Sequence, residues 1–162
     1  MSDFYLLLGG NLGNREGNLK KAIDLLEERI GVISKRSSIY ETAAWGKEDQ
    51  PSFLNQAVCI QIQADPENIL YKVLHIETDL GRERFEHWGS RVIDIDLLIA
   101  DDLIINTQRL TLPHPQLQNR RFALIPLQEI APDLIHPVFH KSVKDLLVEC
   151  PDKLEVKKFQ ER

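Results

Sequence analysis

The sequence predicts an α+β fold, because strand-like and helix-like segments alternate in the order βαββαβ between residues 3 and 100. Two segments place apolar residues at helical spacing, and four others are short apolar or alternating runs that end near turn residues. This order is typical of a ferredoxin-like core, in which an antiparallel sheet carries helices on one face. The chain after residue 106 is expected to add a C-terminal helical extension.

The first half of this core begins with the run DFYLLLGGN at residues 3–11, which predicts a strand that ends in a turn at its glycines. Two further strands are expected at residues 31–45 and 52–64, where apolar and polar residues alternate on either side of a loop. Residues 15–30 carry an apolar stripe that predicts the first helix, formed by Leu19, Ala22, Ile23, Leu26 and Ile30.

The second half begins with a helix that has a start signal and a stop signal. Asp65 is placed to cap the helix, Pro66 suits its first position, and Gly81 ends it. The run VIDIDLLIA at residues 92–100 predicts the next strand, and LIIN predicts a shorter one after a turn. The amphipathic segment SVKDLLVEC at residues 142–150 predicts a helix in the C-terminal extension.

Composition indicates a soluble globular protein, because 43% of the 162 residues are hydrophobic and 28% are charged. We expect one domain over residues 1–162, because this length suits a single core. No transmembrane run or basic export signal is visible, so the cytoplasm is the expected location. Cys59 and Cys150 have no metal-type spacing and are expected to be reduced thiols. The net charge of −5 argues against general binding to nucleic acid.

Two aspartates interrupt the apolar strand at residues 92–100. Asp94 and Asp96 lie two positions apart, so their side chains share one face of a strand, with β-carbons roughly 7 Å apart. Two carboxylates at this spacing can bind one or two magnesium ions together with water and phosphate oxygens. A strand with one solvated face would show the same alternation. The spacing by itself leaves both interpretations open.

Cationic residues are concentrated on both sides of this strand. The loop GRERFEHWGSR contains Arg82, Arg84 and Arg91, and Arg120 follows downstream of His114. Guanidinium groups in such numbers suit a polyphosphate or carboxylate ligand. Any single arginine is more often part of a solvated surface ion pair, and a histidine between prolines is more often a turn residue. As a set, these residues suit ATP and magnesium.

A third group surrounds the loop after residue 42. Its aromatic residues could enclose a flat ring, and its amide could recognise the ring edge by paired hydrogen bonds. Core aromatics beside a turn asparagine would explain the same residues. The opening GGNLGN fits neither the dinucleotide-binding glycine pattern nor a P-loop, so a nucleotide site would have to be built differently. The members of this group are Thr42, Trp45, Phe53 and Asn55.

Four blocks of sequence together resemble one enzyme family, the 6-hydroxymethyl-7,8-dihydropterin pyrophosphokinases of folate biosynthesis. The blocks are GGNLGN, ETAAWG with DQPSFLNQAV, GRER with HWGSRVIDIDLL, and LTLPHPQLQNRRFALIPLQEIAP, in that order over nearly the whole chain. The resemblance implies a ferredoxin-like core. It also implies transfer of the β,γ-pyrophosphoryl unit of ATP to the hydroxymethyl oxygen of the pterin, which gives AMP.

The resemblance also implies a role for each matching residue. Asp94 and Asp96 are expected to bind two Mg²⁺ ions that bridge ATP, and to act in catalysis with Arg82 and Arg91. The resemblance implies contact with ATP and its transferred group, or help in positioning them, for Glu77, Arg84, His114 and Arg120. Contacts with the pterin are implied for Thr42, Trp45, Phe53, Asn55, Trp88 and Phe122.

The sequence departs from the family pattern at a few positions. Leu74 stands where the family commonly has glutamine, which bears on adenosine contacts from the second helix. The loss of proline at Ala43, Ala44 and Ser90 widens the conformational range of two loops that are expected to close over the substrates. Gly10 replaces a frequent serine. These departures bear on loop closure more than on the chemistry.

Two alternatives from other functional classes stay open. A ferredoxin-like module could bind nucleic acid, although the acidic charge and the lack of an aromatic-rich RNA-recognition strand argue against it. A two-metal phosphohydrolase could use Asp94 and Asp96 to cleave ATP without a pterin. The pyrophosphokinase hypothesis expects only small-molecule substrates, no membrane and no nucleic acid, and a monomer.

Overall fold

The computed structural model describes residues 1–43, 51–81 and 92–160. The chain forms eight strands and four α-helices within these ranges, with a short 3-10 helix at Leu117–Asn119. The strands are β1 Ser2–Gly10, β2 Ile33–Arg36, β3 Tyr40–Thr42, β4 Phe53–Ile62, β5 Asp94–Ala100, β6 Ile105–Asn106, β7 Thr111–Leu112 and β8 Val156–Lys158. The helices are α1 Arg15–Arg29, α2 Pro66–Asp79, α3 Arg121–Ile130 and α4 Val143–Glu149.

The main sheet is antiparallel and has the order β5-β1-β4-β3-β8, with β2 also paired to β4. Strand β1 lies between β5 and β4 and pairs with β4 from Ser2 opposite Ile62 to Gly10 opposite Leu54. The predicted ferredoxin-like α+β fold is confirmed. The run at residues 31–45, expected as one strand, forms β2 and β3, and both pair with β4.

Helices α1 and α2 cover one face of the sheet. Alternate residues of β1, among them Leu6 and Leu8, contact the apolar sides of both helices in one buried cluster. Asp65 accepts a hydrogen bond from the backbone N–H of Glu67, and Pro66 begins α2. The predicted cap is confirmed, and the helical apolar stripes became the buried sides because burial of apolar surface drives this packing.

Helices α3 and α4 cover the opposite face. Tyr5 and Leu7, the other alternation set of β1, contact Leu124 and Leu127 of α3 in a second buried cluster. Proline normally disfavours a helix interior because it lacks a donor, and Pro126 lies inside α3. Because of its prolines, this segment was not predicted as a separate helix. Sequence analysis predicted only a helical C-terminal extension.

The C-terminal strand β8 was not expected. It pairs with β3, with Thr42 opposite Val156, and it lengthens the main sheet at the edge away from β5. The predicted LIIN strand is the two-residue β6, which pairs with β7. Cys59 and Cys150 are buried and free, as expected. Among the described residues, no helix combines the length and apolar character needed to cross a membrane.

Candidate active site

A cavity of about 320 Å³ lies where the ends of β1, β3, β4 and β5 approach the start of α3. Leu7 contributes to its wall and belongs to the cluster beneath α3 and α4, so the cavity opens on that face of the sheet. The C-terminal chain closes one side. The lining residues are Leu7, Gly9, Thr42, Ala43, Phe53, Asn55, Asp94, Asp96, Arg120, Phe122, Asp152 and Leu154.

Both aspartates of β5 line this cavity. Ile95 and Leu97 are buried in the cluster beneath α1 and α2, so the alternation of the strand directs the carboxylates of Asp94 and Asp96 to the other face. The neighbouring strand positions these residues, with Gly9 of β1 opposite Asp94. Each aspartate is partly exposed. The face that carries them is the wall of a cavity rather than an open solvated surface.

Glu77 of α2 contacts the same strand from the face of the sheet opposite the cavity. Its side chain is 4% exposed, and its Oε2 accepts a hydrogen bond of 2.7 Å from the backbone N–H of Ile95. Ile95 separates the two aspartates, and Glu77 does not line the cavity. A buried carboxylate that accepts a backbone N–H is a strong restraint. Glu77 is therefore placed to hold the position of β5.

The opposite part of the cavity combines aromatic rings with buried polar groups. Phe53 and Phe122 line it together with Thr42 and Asn55, which are 5% and 6% exposed. The Thr42 hydroxyl has no hydrogen-bond partner among the described residues. A buried hydroxyl normally has one, because desolvation without a partner is costly. A polar ligand bound in the cavity would satisfy this hydroxyl.

The start of α3 supplies a positive charge. The guanidinium carbon of Arg120 lies 5.7 Å from the ring centroid of Phe122, and both side chains line the cavity. Such a cation and ring attract each other and restrict one another's position. Among the described residues, the cavity thus has an aromatic and amide part, one guanidinium, and three carboxylates, those of Asp94, Asp96 and Asp152.

His114 lies in a neighbouring cavity of about 240 Å³. Its backbone N–H donates to Leu98 O at 2.7 Å, which ties the segment to β5. The Nδ1 atom accepts a hydrogen bond from the N–H of Gln116. Burial lowers the pKa of His114, and the nearby charge of Arg120 lowers it further. Both effects favour the neutral ring over the charged one.

We expect the free energy of unfolding to decrease as the pH falls from 7 to 5. Burial lowers the pKa of both His114 and His136 below the ordinary value of 6.5 in the folded chain. The unfolded chain therefore binds more protons below about pH 6.5, so stability is present above that pH and is lost as the pH falls through the folded pKa values. Urea unfolding at several pH values measures this slope.

The variant His114→Asn provides the control, because its amide oxygen can replace the accepting Nδ1 without titrating. We expect a shallower pH dependence in this variant, with the contribution of His136 retained. An unchanged slope would show that His114 does not contribute.

Several expected site residues lie outside the described ranges. They are Trp45, Arg82, Arg84, Trp88 and Arg91.

Five lining residues had no role in the sequence-based site, namely Leu7, Gly9, Ala43, Asp152 and Leu154. Leu7 and Gly9 belong to a strand that was predicted, but its pairing was unknown. An ideal Cβ at Gly9 would lie 2.2 Å from Asn55 Oδ1, so this glycine allows the strand to approach the amide. Asp152 and Leu154 reach the cavity through the C-terminal chain, which has no local signal for that contact.

The family model for 7,8-dihydro-6-hydroxymethylpterin-pyrophosphokinase (HPPK) matches residues 5–132. A 2-amino-4-hydroxy-6-hydroxymethyldihydropteridine pyrophosphokinase of Aquifex aeolicus is 42% identical over 149 residues, which cover 92% of each chain. The Bacillus subtilis protein of that name is 44% identical over 127 residues, 78% of this chain and 76% of its own.

Solved structures share the fold. A wild-type HPPK-DHPS of Plasmodium falciparum with pteroate has a TM-score of 0.76 at 17% identity. The match covers 91% of this chain and 44% of the solved one, so this chain corresponds to less than half of that protein. The match to the family model and the sequence identity to these relatives show that the chain belongs to the 7,8-dihydro-6-hydroxymethylpterin-pyrophosphokinase family.

Proposed function

We propose that the cavity formed by β1, β3, β4, β5 and the start of α3 is the active site of a pyrophosphokinase. Family membership supplies the reaction, the ATP-dependent transfer of a pyrophosphoryl group to 6-hydroxymethyl-7,8-dihydropterin in folate biosynthesis. One observation carries the proposal. A single cavity holds groups suited to a flat polar ring beside two carboxylates and a guanidinium suited to a phosphate chain.

The pterin is proposed to lie between Phe53 and Phe122. Both rings line the cavity, and stacking on aromatic faces suits a flat heterocycle. Asn55 offers an acceptor and a donor on one amide, and Thr42 offers the hydroxyl that has no partner among the described residues. These groups can pair with the ring edge and satisfy their own buried polar atoms. Trp45 and Trp88 are proposed to complete the pterin site.

Asp94 and Asp96 are proposed to bind two Mg²⁺ ions. No group of three or more His, Cys, Asp or Glu side chains is arranged for a metal ion within the parts of the chain that the structure describes. Mg²⁺ usually takes only one or two carboxylates from the protein and completes its shell with water and phosphate oxygens. Two aspartates on one cavity wall fit that requirement. Bound magnesium would neutralise the charge of the phosphate chain.

The protein itself is proposed to act by positioning and charge stabilisation. The attacking atom is the hydroxyl oxygen of the pterin substituent, so the reaction needs no protein nucleophile. Arg120 lines the cavity and is proposed to face the transferred group. Glu77 is proposed to help position ATP indirectly, through its hydrogen bond to the strand that carries the two aspartates. Arg82 and Arg91 are proposed to stabilise the developing charge. Arg84 and His114 are proposed to contact ATP.

We also propose that residues 1–162 act as one domain and as a monomer in the cytoplasm. Strands near both ends of the chain, β1 and β8, belong to the same sheet, which supports a single domain. The net charge of −5 supports the absence of nucleic acid among its ligands.

The decisive experiment measures AMP formation from ATP and Mg²⁺ with and without 6-hydroxymethyl-7,8-dihydropterin. We expect AMP only when the pterin is present. Cleavage of ATP regardless of pterin would support the phosphohydrolase alternative. Retention of single-stranded RNA on a filter, without AMP formation, would support the binding module and refute the proposal.

A further inference from the structure

The C-terminal chain forms one wall of the proposed active site. Asp152 and Leu154 line the cavity, although the family model ends at residue 132. These two residues therefore belong to a segment that the family match does not cover. Their role can be inferred from the contacts that hold them.

Asp152 contacts the start of α3. Its Oδ2 accepts a hydrogen bond of 3.1 Å from the backbone N–H of Arg121, the first residue of that helix. The residue at the cap position, Arg120, makes no side-chain cap hydrogen bond. The first N–H groups of a helix lack partners within it and favour a negative charge nearby. Asp152 supplies an acceptor from a distant part of the chain.

The other oxygen of the carboxylate is also engaged. Oδ1 accepts a hydrogen bond of 3.0 Å from the N–H of Leu154, the second cavity residue of this segment. Each oxygen of Asp152 thus accepts a backbone N–H. Such a carboxylate is better placed to fix two backbone segments than to recognise a substrate directly.

The segment that carries Asp152 is itself anchored. Beyond Leu154, β8 pairs with β3 so that Val156 lies opposite Thr42 of the cavity. The N–H of Phe159 donates to Ile39 O at 2.8 Å, and the guanidinium of Arg15 lies 5.7 Å from the Phe159 ring centroid. Contacts at both ends hold the segment against the rest of the fold.

We propose that Asp152 is a positioning residue that sets the location of Phe122 at the pterin site by holding the first turn of α3. Phe122 follows directly after the capped N–H of Arg121, and its ring lines the same cavity as Asp152. This inference rests on the proposed function, because it assigns Phe122 to the pterin.

The first test compares Asp152→Ala with the control variant Asp133→Ala. The side chain of Asp133 is 83% exposed and does not line the cavity. For Asp152→Ala we expect the KM for the pterin to rise about tenfold, equivalent to about 1.4 kcal/mol, with a much smaller change in kcat. Asp133→Ala should match the wild type. Folding of each variant is checked by circular dichroism and thermal melting.

The second test is a double-mutant cycle with Phe122→Ala. If Asp152 acts through Phe122, Asp152→Ala should change the pterin KM by less than about twofold in the Phe122→Ala background. Independent, additive effects would overturn the proposal. A folded Asp152→Ala variant with the pterin KM of the wild type would also overturn it.

Asp152→Asn decides the matter if the alanine variant does not fold. An NH2 group, which cannot accept, then replaces one of the two oxygens that accept the N–H groups of Arg121 and Leu154, so an increase of about threefold in the pterin KM is expected. No increase would overturn the proposal. Failure of the wild type to form AMP with the pterin would instead refute the proposed function, so the two failures are distinguishable.

Discussion

Replacement of Asp96 by alanine should lower kcat by about 10³-fold or more, because a carboxylate that holds magnesium against the phosphate chain contributes several kcal/mol to transition-state stabilisation. Asp96 is partly exposed and lies on the cavity wall, so its removal should leave the folded sheet intact. Rates of AMP formation at saturating ATP and pterin, over a range of Mg²⁺ concentrations, measure the effect.

Asp102→Ala is the matched control for this variant. Asp102 is an exposed acid in the turn that follows the same strand, and it does not line the cavity. It should retain the activity of the wild type, and both variants should keep its melting temperature within a few degrees. Substantial magnesium-dependent activity in a folded Asp96→Ala variant would contradict the metal-binding role of this residue.

Replacement of Gly9 by alanine should abolish efficient use of the pterin. A Cβ at this position would lie 2.2 Å from Asn55 Oδ1 and 3.3 Å from the backbone oxygen of Leu54, so the amide has to move. Loss of the proposed paired hydrogen bonds between Asn55 and the ring edge should lower kcat/KM for the pterin by about 10²-fold. Steady-state kinetics with varied pterin, together with pterin binding by calorimetry, measure the loss.

Gly31→Ala serves as a second glycine substitution away from the site. Its added Cβ would lie 3.3 Å from Ile60 Cγ2, so it tests the effect of a tight methyl group without touching the cavity. This variant should keep the kinetic constants of the wild type even if its melting temperature changes. Unchanged pterin kinetics in a folded Gly9→Ala variant would show that Asn55 does not form hydrogen bonds with the pterin ring from its present position.

The predicted elements with strong local signals were confirmed. The helical stripe that includes Leu19 and Leu26 became the buried side of α1, and Asp65 caps α2 as expected. The alternation around Ile95 settled that Asp94 and Asp96 share one face of β5, because successive side chains of a strand point to opposite faces. Local periodicity is visible in a single segment, so sequence analysis could recognise these features.

The least visible elements depended on partners elsewhere in the chain. Strand β8 has three residues and forms by pairing with β3, and α3 contains a proline that argues against a helix. Short strands and proline-containing helices are stabilised mainly by tertiary contacts, which override weak local preference.

Sequence analysis was enough to predict the order of the core elements and the common face of Asp94 and Asp96, and to find the resemblance that the comparisons confirmed as family membership. The folded chain was needed to show that Glu77 accepts a hydrogen bond from β5, that the absence of a side chain at Gly9 leaves room for Asn55, and that Asp152 contacts the start of α3. The reason is physical. Periodicity acts between neighbours along the chain, whereas these contacts join separate segments and exist only once the sheet and its two helical layers have assembled.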